Sequence, residues 1–505
     1  MTSGGIDGSH SRDASFFVAM LLVLAALTAY RVAIAVSHGL PLNVDEAQYW
    51  LWAQSLDWGY FSKPPMIAAV IWLPTQICGD SEPCVRAAPL IAYPITALLI
   101  YATTRRLYGS RAALFAGVAF ATMPGVSFSS FIISTDVPLF LFWALALFAF
   151  VRAVDANLWR DWLLLGVAGG FGLLTKYTMG IFAASAILCL LLVRERRHLL
   201  QTPGPYLSAA LAGLIFLPNV IWNILNDYPT IRHTAHISNL GSVALHWSEL
   251  GEFLAGQLIV FGPVLVVIFL WALLPPSTLT RDGRVLLLCC FSLPFLAIIS
   301  MQALFGRANA NWAAPTYVAA TVIVAGYLMG DKRRGKSVAA ALALAVNLFL
   351  GAALGAAVHD YQRLLDAFDV EFSARTDPFK RYRHWDRFAA EIAPVLKEFP
   401  EAILMGDERD VLSQLVYHIE PHPIDAVVWN PSGTLRTHFH LTTTLEDKLG
   451  KDFIFVTDRE SIESIRRAFE ETRLIDEVAV EVHRDWHIRA RIFYLKNFRG
   501  YEHLD

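Results

Sequence analysis

Long apolar runs separated by short polar segments fill most of the chain before residue 359. Runs close to the ~20 residues that carry a helix across a bilayer lie at 16–36, 84–104, 111–131, 137–154, 160–175, 177–193, 205–225, 253–274, 285–304, 313–330 and 337–358. This pattern predicts an α-helical polytopic membrane protein with about eleven spans.

The pattern changes after His359. Short strand-like stretches, AILMG, AVVW, DFIFVT and ARIFYL, alternate with helix-like stretches at 407–419 and 461–471. In the second of these, Ile462, Ile465 and Phe469 are predicted to form a core-facing stripe. The sequence thus predicts three regions: an N-terminal tail at 1–15, a membrane domain at 16–358, and a soluble α/β domain at 359–505.

Residues 63–83 are apolar over too short a stretch to span comfortably. Two opening prolines and Pro74 are expected to break a helix there. The segment is therefore predicted to lie along the outer membrane boundary as an amphipathic or re-entrant piece. Because tryptophan favours headgroup depth, the sequence also predicts an interfacial belt of Trp50, Trp52, Trp58 and Trp72.

Composition agrees with a membrane protein, since 55% of the 505 residues are hydrophobic and 17% are charged, against roughly 25% charged in soluble domains. We therefore expect the protein to interact with the membrane and not with nucleic acid. The run at 16–36 lacks a following cleavage pattern, so we predict a retained span.

Lysine and arginine positions predict the orientation. With a cytoplasmic N-terminus, the inside loops hold clusters at 105–106, 194–197 and 332–336, while the outside loops hold scattered cations: Lys63, Arg86, Lys176, Arg232 and Arg307. The positive-inside rule favours this arrangement, and an odd number of spans then places the C-terminal domain outside.

Five cysteines are too few for a disulfide scaffold. Cys189, Cys289 and Cys290 lie in apolar runs and are expected to be inert core residues. Cys78 and Cys84 share one outer loop, and the sequence leaves open whether they pair or remain free thiols.

Charged groups collect at the outer ends of the predicted spans, where burial in a membrane would be costly without partners. They are Asp45, Glu46, Asp136, Lys63, Lys176, Arg232 and Arg307. Cations suit an anionic amphiphile such as a lipid-phosphate sugar, whose phosphate leaves without a general acid. A carboxylate would then be needed to take the proton of the incoming acceptor.

Five motifs in order carry a specific resemblance: NVDEAQYWLWAQSLDWGYFSKPP, STDVPL, LTKYTMG, LPNVIWNILNDYPTIRHTAH and GRANANWAAP. They resemble bacterial membrane glycosyltransferases related to protein O-mannosyltransferases, above all those that move galacturonic acid or aminoarabinose from polyprenyl phosphate to lipopolysaccharide. The resemblance implies the GT-C fold, a periplasmic active site in the bacterial inner membrane, and an inverting transfer that uses no nucleotide sugar. GDERDVLSQLVYHI, WNPSG and DFIFVT extend it into the C-terminal domain.

The resemblance also implies roles for the acidic residues. Asp45 would be the catalytic base, and its neighbour Glu46 would orient the first loop. Asp136 would position the acceptor or hold a cation. Capping of a helix N-terminus is the structural alternative for Asp45 and for Asp136.

Among the cations, Lys63 matches the lysine that meets the donor phosphate, and Arg307 and Arg232 would add charge-assisted bonds to it. Alternatively, Lys63 and Lys176 could extend their side chains to the membrane interface by snorkelling. Arg307 could instead tie its loop to the outer domain. Tyr60 and Trp312 either pack on sugar or prenyl chain or belong to the aromatic belt.

No cofactor is expected to be required, and a divalent-metal site is left open. Some relatives carry an acidic residue immediately before the donor lysine, where it can help to bind metal, but this chain has Ser62. His233 and His236 lie three apart in an outer segment, where histidines are more often solvated than metal-ligating.

Three other functions compete with glycolipid modification. Transfer to protein hydroxyls would use the same donor type. A lipid-linked-sugar flippase or transporter would place ionisable groups near mid-membrane, where this chain has almost none. An assembly scaffold would leave the acidic motif without a role.

Overall fold

A computed structural model describes residues 4–37, 40–238, 245–274, 282–330, 336–368, 373–377 and 379–501. The helices up to residue 368 are α1 (Gly4–Ser37), α2 (Val44–Gln54), α3 (Met66–Cys78), α4 (Glu82–Val85), α5 (Ala87–Tyr108), α6 (Ser110–Ala121), α7 (Pro124–Ser129), α8 (Asp136–Ala156), α9 (Trp159–Leu173), α10 (Gly180–Leu192), α11 (Pro203–Leu225), α12 (Pro229–Ser238), α13 (Trp247–Phe261), α14 (Pro263–Leu273), α15 (Gly283–Cys290), α16 (Leu293–Phe305), α17 (Thr316–Met329) and α18 (Ser337–Phe368).

The later elements are helices α19 (Trp385–Glu398), α20 (Arg409–His418), α21 (His438–Thr442) and α22 (Glu463–Arg467), and strands β1 (Ile403–Gly406), β2 (Val427–Val428), β3 (Phe453–Thr457), β4 (Phe469–His483) and β5 (Trp486–Phe498). Short 3-10 helices lie at Tyr177–Met179, Arg194–Gln201, Ala310–Ala313, Lys380–Tyr382 and Glu446–Lys448.

The chain divides into two compact units. The first unit comprises Met1–His38, Lys63–Val70 and Arg86–His359, and the second comprises Gly39–Ser62, Ile71–Val85 and Asp360–Asp505. The second unit therefore combines the region after residue 359 with two segments from the first predicted outer loop.

The first unit is a bundle of apolar helices, which confirms the prediction of a helical polytopic membrane protein. Within the described residues, six helical stretches are long and apolar enough to cross a membrane, and two bent helix pairs raise the number to eight. Three further predicted spans contain the helices α6, α9 and α17, of 12, 15 and 14 residues. These are shorter than the ~20 residues of a full crossing, so the structure supports fewer spans than the eleven predicted.

One bent pair shows why apolar runs overstate span length. Helices α13 and α14 meet at an angle of 105°, although the sequence reads as one continuous run at 253–274. Gly262 between them has φ +99°, a conformation that favours glycine, and Pro263 then starts the next helix.

The second unit contains a five-stranded sheet in the order β2-β1-β3-β5-β4. Strand β1 pairs in parallel with β2 and β3, whereas β5 runs antiparallel to β3 and β4. One face packs on a core that includes Met405, Phe455, Ile465 and Leu495. This confirms the predicted α/β fold of the C-terminal region.

The apolar stripe at Ile462, Ile465 and Phe469 is buried, as predicted. The predicted helix at 461–471 is too long, however, because α22 ends at Arg467 and Phe469 begins strand β4. Strand β4 lies at the sheet edge with mostly exposed or half-buried side chains, so its sequence lacks the apolar alternation that signals a strand.

The predicted tryptophan belt is wrong in part. Trp50 and Trp52 are 0% and 1% exposed, whereas Trp58 and Trp72 are 55% and 39% exposed. Trp50 donates to Asp80 Oδ1 at 2.7 Å and packs within the second unit. Burial in protein therefore replaces the interfacial position predicted for these two side chains.

The segment after Lys63 is short, as expected, but Pro74 does not break it, because helix α3 continues through this residue to Cys78.

Cys78 and Cys84 form a disulfide with a Cα–Cα distance of 6.0 Å, which decides the alternative left open by the sequence. Cys189, Cys289 and Cys290 are free and buried.

Candidate functional site

Helix α2 presents Asp45 from its first turn. Asn43 caps the helix, since its Oδ1 accepts from the Glu46 backbone at 2.9 Å while Glu46 Oε2 accepts from the Asn43 backbone at 3.0 Å. This capping box satisfies two backbone donors reciprocally. Glu46, which is fully buried, thus fixes the start of the helix, and Asp45 is not the capping residue.

The Asp45 side chain is 59% exposed and forms an ion pair with Arg409. Arg409, at the start of α20, donates from Nη1 to Asp45 Oδ1 at 3.1 Å and to Gln48 Oε1 at 3.0 Å. Burial lowers the pKa of Arg409, but the carboxylates of Asp45 and Asp410 outweigh burial and raise it above its usual value. A permanently charged donor therefore holds one oxygen of Asp45.

Further contacts within the second unit join α20 to Leu42, just before α2, and to Asp80, after α3. Gln414 donates from Nε2 to the Leu42 carbonyl at 2.9 Å, and the Tyr417 hydroxyl donates to the Asp80 carbonyl at 2.7 Å. Sequence analysis singled out GDERDVLSQLVYHI for its resemblance but missed Arg409 as a site residue. The signal was there, because an arginine is the one cation in that motif.

Tyr60 belongs to a buried aromatic stack in the same unit. Its ring is parallel to that of Trp52 with centroids 4.6 Å apart, and its hydroxyl donates to the Trp52 carbonyl at 3.1 Å. Burial raises the pKa of Tyr60 to about 12. His438 contacts both rings edge-on, and burial lowers its pKa to about 4, so this histidine is neutral at pH 7.

A second acidic centre lies in the first unit. Asp136, the first residue of α8, accepts from Lys176 Nζ at 2.9 Å through Oδ1 and from Asn311 Nδ2 at 2.6 Å through Oδ2. The side chains of Asp136 and Lys176 are 9% and 20% exposed. The structure thus joins two predicted residues in an ion pair between a buried carboxylate and a half-buried ammonium, with Asn311 as a partner that was not predicted.

A polar network follows Lys176 along the chain. The Tyr177 hydroxyl donates to Asn219 Oδ1 at 2.9 Å and accepts from Asn223 Nδ2 at 3.1 Å. These side chains line a cavity of about 330 Å³ together with Phe216 and Tyr228. Both asparagines come from the fourth resembling motif, but no role was predicted for them.

The three residues predicted to bind the donor phosphate are on helices and loops of the first unit. Lys63 is half-buried, whereas Arg232 on α12 and Arg307 after α16 are exposed. Among the described residues, neither arginine makes an ion pair through its guanidinium. Trp312 is half-buried.

The two predicted histidines lie on α12, where His233 is half-buried and His236 exposed. Across the parts of the chain that the structure describes, no group of three His, Cys, Asp or Glu side chains is arranged to hold a metal ion.

Comparison with known proteins identifies the family. A family model described as dolichyl-phosphate-mannose-protein mannosyltransferase matches residues 62–222. The lipid A galacturonosyltransferase RgtD of Rhizobium johnstonii is 30% identical over 447 residues, which cover 87% of this chain and 90% of that protein. The chain therefore belongs to the same family of membrane glycosyltransferases as RgtD.

Other relatives share parts of the chain. The lipopolysaccharide core galacturonosyltransferase RgtB of the same organism is 28% identical, covering 59% of this chain and 62% of its own length. An undecaprenyl phosphate-aminoarabinose arabinosyl transferase of Pseudomonas aeruginosa is 29% identical, covering 63% and 61%.

Among solved structures, that of ArnT from Cupriavidus metallidurans bound to undecaprenyl phosphate aligns with a TM-score of 0.64, at 16% identity, and covers 95% of this chain and 98% of that one. This confirms the predicted GT-C fold, and the family identifies the chain as a glycosyltransferase that uses a polyprenyl-phosphate-linked sugar.

Proposed function

We propose that this enzyme transfers one sugar from a polyprenyl-phosphate donor to lipid A or the lipopolysaccharide core, with inversion, at the periplasmic face of the bacterial inner membrane. The observation that carries the proposal is the similarity to RgtD over 447 residues. An alignment of that length extends beyond residue 359, and so takes in part of the second unit as well as the helices.

The proposed step moves one proton and one glycosyl group. An acceptor hydroxyl attacks the anomeric carbon, the bond between that carbon and the phosphate oxygen breaks, and polyprenyl phosphate leaves with the bonding electrons. Asp45 takes the hydroxyl proton as general base. Its high exposure supports this role, because a base has to reach the acceptor.

Basic side chains would stabilise the leaving phosphate, and we assign this role to Lys63, Arg307 and Arg232. Asp136 and Lys176 form a neutral pair, which we assign to positioning the acceptor. Arg409 is the positioning residue for Asp45, since it holds one carboxylate oxygen and leaves the other for the proton. No step in this scheme requires a metal ion.

The disulfide supports the proposed orientation. Such bonds persist in oxidising compartments like the periplasm, and Cys78 and Cys84 lie in a segment predicted to be outside. The second unit, which contains both cysteines, is accordingly assigned to the periplasmic side.

The decisive experiment is mass spectrometry of lipid A and core from a deletion strain, complemented with the parent gene or with Asp45→Asn. We expect one sugar residue to be missing from the deletion strain, to return with the parent, and to remain absent with the variant. The missing mass identifies the sugar and its acceptor together. Unchanged lipid A and core would contradict the proposal, and loss of sugar from envelope proteins instead would favour protein O-glycosylation, the activity in the description of the family model.

A further inference from the structure

A buried arginine in the first unit takes no part in the proposed transfer. Arg31, on α1, is 4% exposed, and its Nη2 donates to the carbonyl of Ala121, the last residue of α6, at 2.5 Å. Among the described residues, no carboxylate forms an ion pair with it. The partial negative charge of the α6 C-terminus compensates only part of its charge.

A guanidinium carries five N–H donors, and a charged group buried within the membrane region is costly unless it is paired. The Ala121 carbonyl uses one donor. Arginine in such a position is well suited to an oxyanion, because its planar donors match the oxygens of phosphate or carboxylate.

The space beside Arg31 contains a second polar group without a partner. Asn347, on α18, is fully buried, and neither its side-chain oxygen nor its nitrogen has a hydrogen bond in the described structure. Buried amides are normally satisfied, so this one calls for a ligand. Both residues line one cavity of about 210 Å³, together with Thr122 and Ser127.

The same cavity has an apolar side. Tyr30 on α1 and Leu348 on α18 also line it, and they are 38% and 46% exposed. Both helices provide candidate membrane spans, so we expect their exposed side chains to face hydrocarbon. The cavity therefore combines a buried cation with lining residues that also face the lipid.

The volume of this cavity limits the size of the ligand that it can hold. Pockets that enclose a drug-sized molecule measure roughly 300–1,000 Å³, so about 210 Å³ accommodates a phosphate with a small polar substituent. The ligand thus brings a compact anionic head into the protein and leaves its apolar part outside.

We propose that the cavity between α1, α6, α7 and α18 binds the phosphate of an anionic phospholipid, with Arg31 as its charged ligand and Asn347 as a neutral one. The Asn347 nitrogen donates to a phosphate oxygen, and its carbonyl oxygen accepts from a head-group hydroxyl. The acyl chains extend past Tyr30 and Leu348. Phosphatidylglycerol has this combination of phosphate, hydroxyls and acyl chains.

The test uses the full-length purified protein in detergent, with phosphatidylglycerol, phosphatidylethanolamine and inorganic phosphate as probes. Native mass spectrometry measures retained lipid, and a thermal-unfolding assay measures protection. We expect phosphatidylglycerol to be retained and to raise Tm, the other two probes to have little effect, and Arg31→Gln to weaken retention by at least tenfold.

Arg111→Gln is the matched control. Arg111 is an exposed arginine of α6 that lines a neighbouring cavity of about 480 Å³, also between α1, α6 and α18, so its loss should leave retention unchanged. Asn347→Leu removes an amide that has no hydrogen bond to lose, and it tests the site even if Arg31→Gln does not fold. We expect this variant to be folded and to retain several-fold less phosphatidylglycerol.

Equal retention by the parent and the variant that folds would overturn the proposal. Equal protection of the parent by inorganic phosphate would overturn its lipid part and identify a site for a soluble anion. Because these assays measure binding without sugar transfer, their failure would leave the proposed enzymatic function untouched.

Discussion

The two acidic centres of this protein hold their carboxylates in opposite ways. The Asp136 side chain is 9% exposed, and both of its oxygens accept hydrogen bonds from fixed partners. The Asp45 side chain is 59% exposed, and among the described residues its ion pair is with Arg409 through a single oxygen. A carboxylate enclosed by donors is suited to positioning, whereas an exposed one is suited to accepting a proton.

The largest expected effect tests the role of Asp45. Asp45→Asn should lower the transfer rate by about 10²- to 10⁴-fold, the usual contribution of a general base, while insertion and thermal stability stay near those of the parent. The measurement is turnover by purified enzyme with a polyprenyl-phosphate sugar. Asp410→Asn is the control, because Asp410 also pairs with Arg409 but is assigned no chemical role. Parent-like turnover by Asp45→Asn would remove the distinction between the two centres.

The enclosed centre should matter most for stability. Asp136→Ala leaves the half-buried Lys176 ammonium without its carboxylate, and breaking the pair in this way should cost up to about 3 kcal/mol. Asp136→Ala combined with Lys176→Met should recover much of that loss. Denaturant unfolding of the purified variants checks both expectations.

Asp155, which forms exposed ion pairs with Arg106 and Arg196, provides the comparison, since Asp155→Ala should cost less than about 1 kcal/mol. An equally small effect of Asp136→Ala would mean that the enclosed centre is not a structural ion pair.

Acidity should affect the second unit through two half-buried histidines, His418 and His438. Burial lowers the pKa values of His418 and His438 to about 4, below the value of about 6.5 in an unfolded chain. The unfolded state therefore binds more protons between pH 6.5 and 4, and stability falls as the pH drops through this window. The maximum effect is about 3 kcal/mol per histidine.

Unfolding of the purified full-length protein between pH 7 and 4 measures this dependence. His438→Gln should reduce the slope, and His418→Gln combined with His438→Gln should reduce it further. Identical slopes for the parent and the double variant would show that these histidines do not carry the acid sensitivity.

A smaller effect is expected from Arg409. Arg409→Gln keeps a donor near Asp45 but removes its charge, so we expect roughly a tenfold fall in kcat, about 1.4 kcal/mol. Arg409→Lys keeps the positive charge, so it should recover much of that fall. Arg459→Gln, which affects the ion pair with Asp407 in the same unit, should leave kcat near that of the parent. Equal falls in kcat for Arg409→Gln and Arg409→Lys would show that the charge beside Asp45 does not support turnover.

The smallest expected effect is that of chelators. Because no step of the proposed transfer uses a metal ion, EDTA should leave the transfer rate unchanged. A rate that falls on chelation and returns with added zinc or magnesium would contradict this expectation and direct attention to His233 and His236.

Local sequence was sufficient for several features. The order Asn43, Val44, Asp45, Glu46 contains the signal for a capping box, because the reciprocal bonds join residues only three positions apart, although within this stretch capping was considered only for Asp45. Apolar runs identify most of the candidate spans, since a helix satisfies its own backbone in lipid. The stripe at Ile462, Ile465 and Phe469 marks a core, although the edge strand that begins at Phe469 could not be distinguished from a helix.

Other features depend on residues far apart in the sequence. The partner of Asp45 is 364 residues away at Arg409, and the cavity that contains Arg31 is completed by Asn347. Tryptophan is typical of a membrane-interface belt, yet whether Trp50 and Trp52 are buried depends on which part of the protein covers them. The aromatic side chains themselves are compatible with either position.

The sequence by itself determined the membrane class, the family motifs and the helix start that displays Asp45, because these depend on composition and on neighbours within a few residues. Only the tertiary structure decided which carboxylate is enclosed, which is exposed, and which cations meet them. Those outcomes depend on distances between elements that periodicity and spacing do not encode.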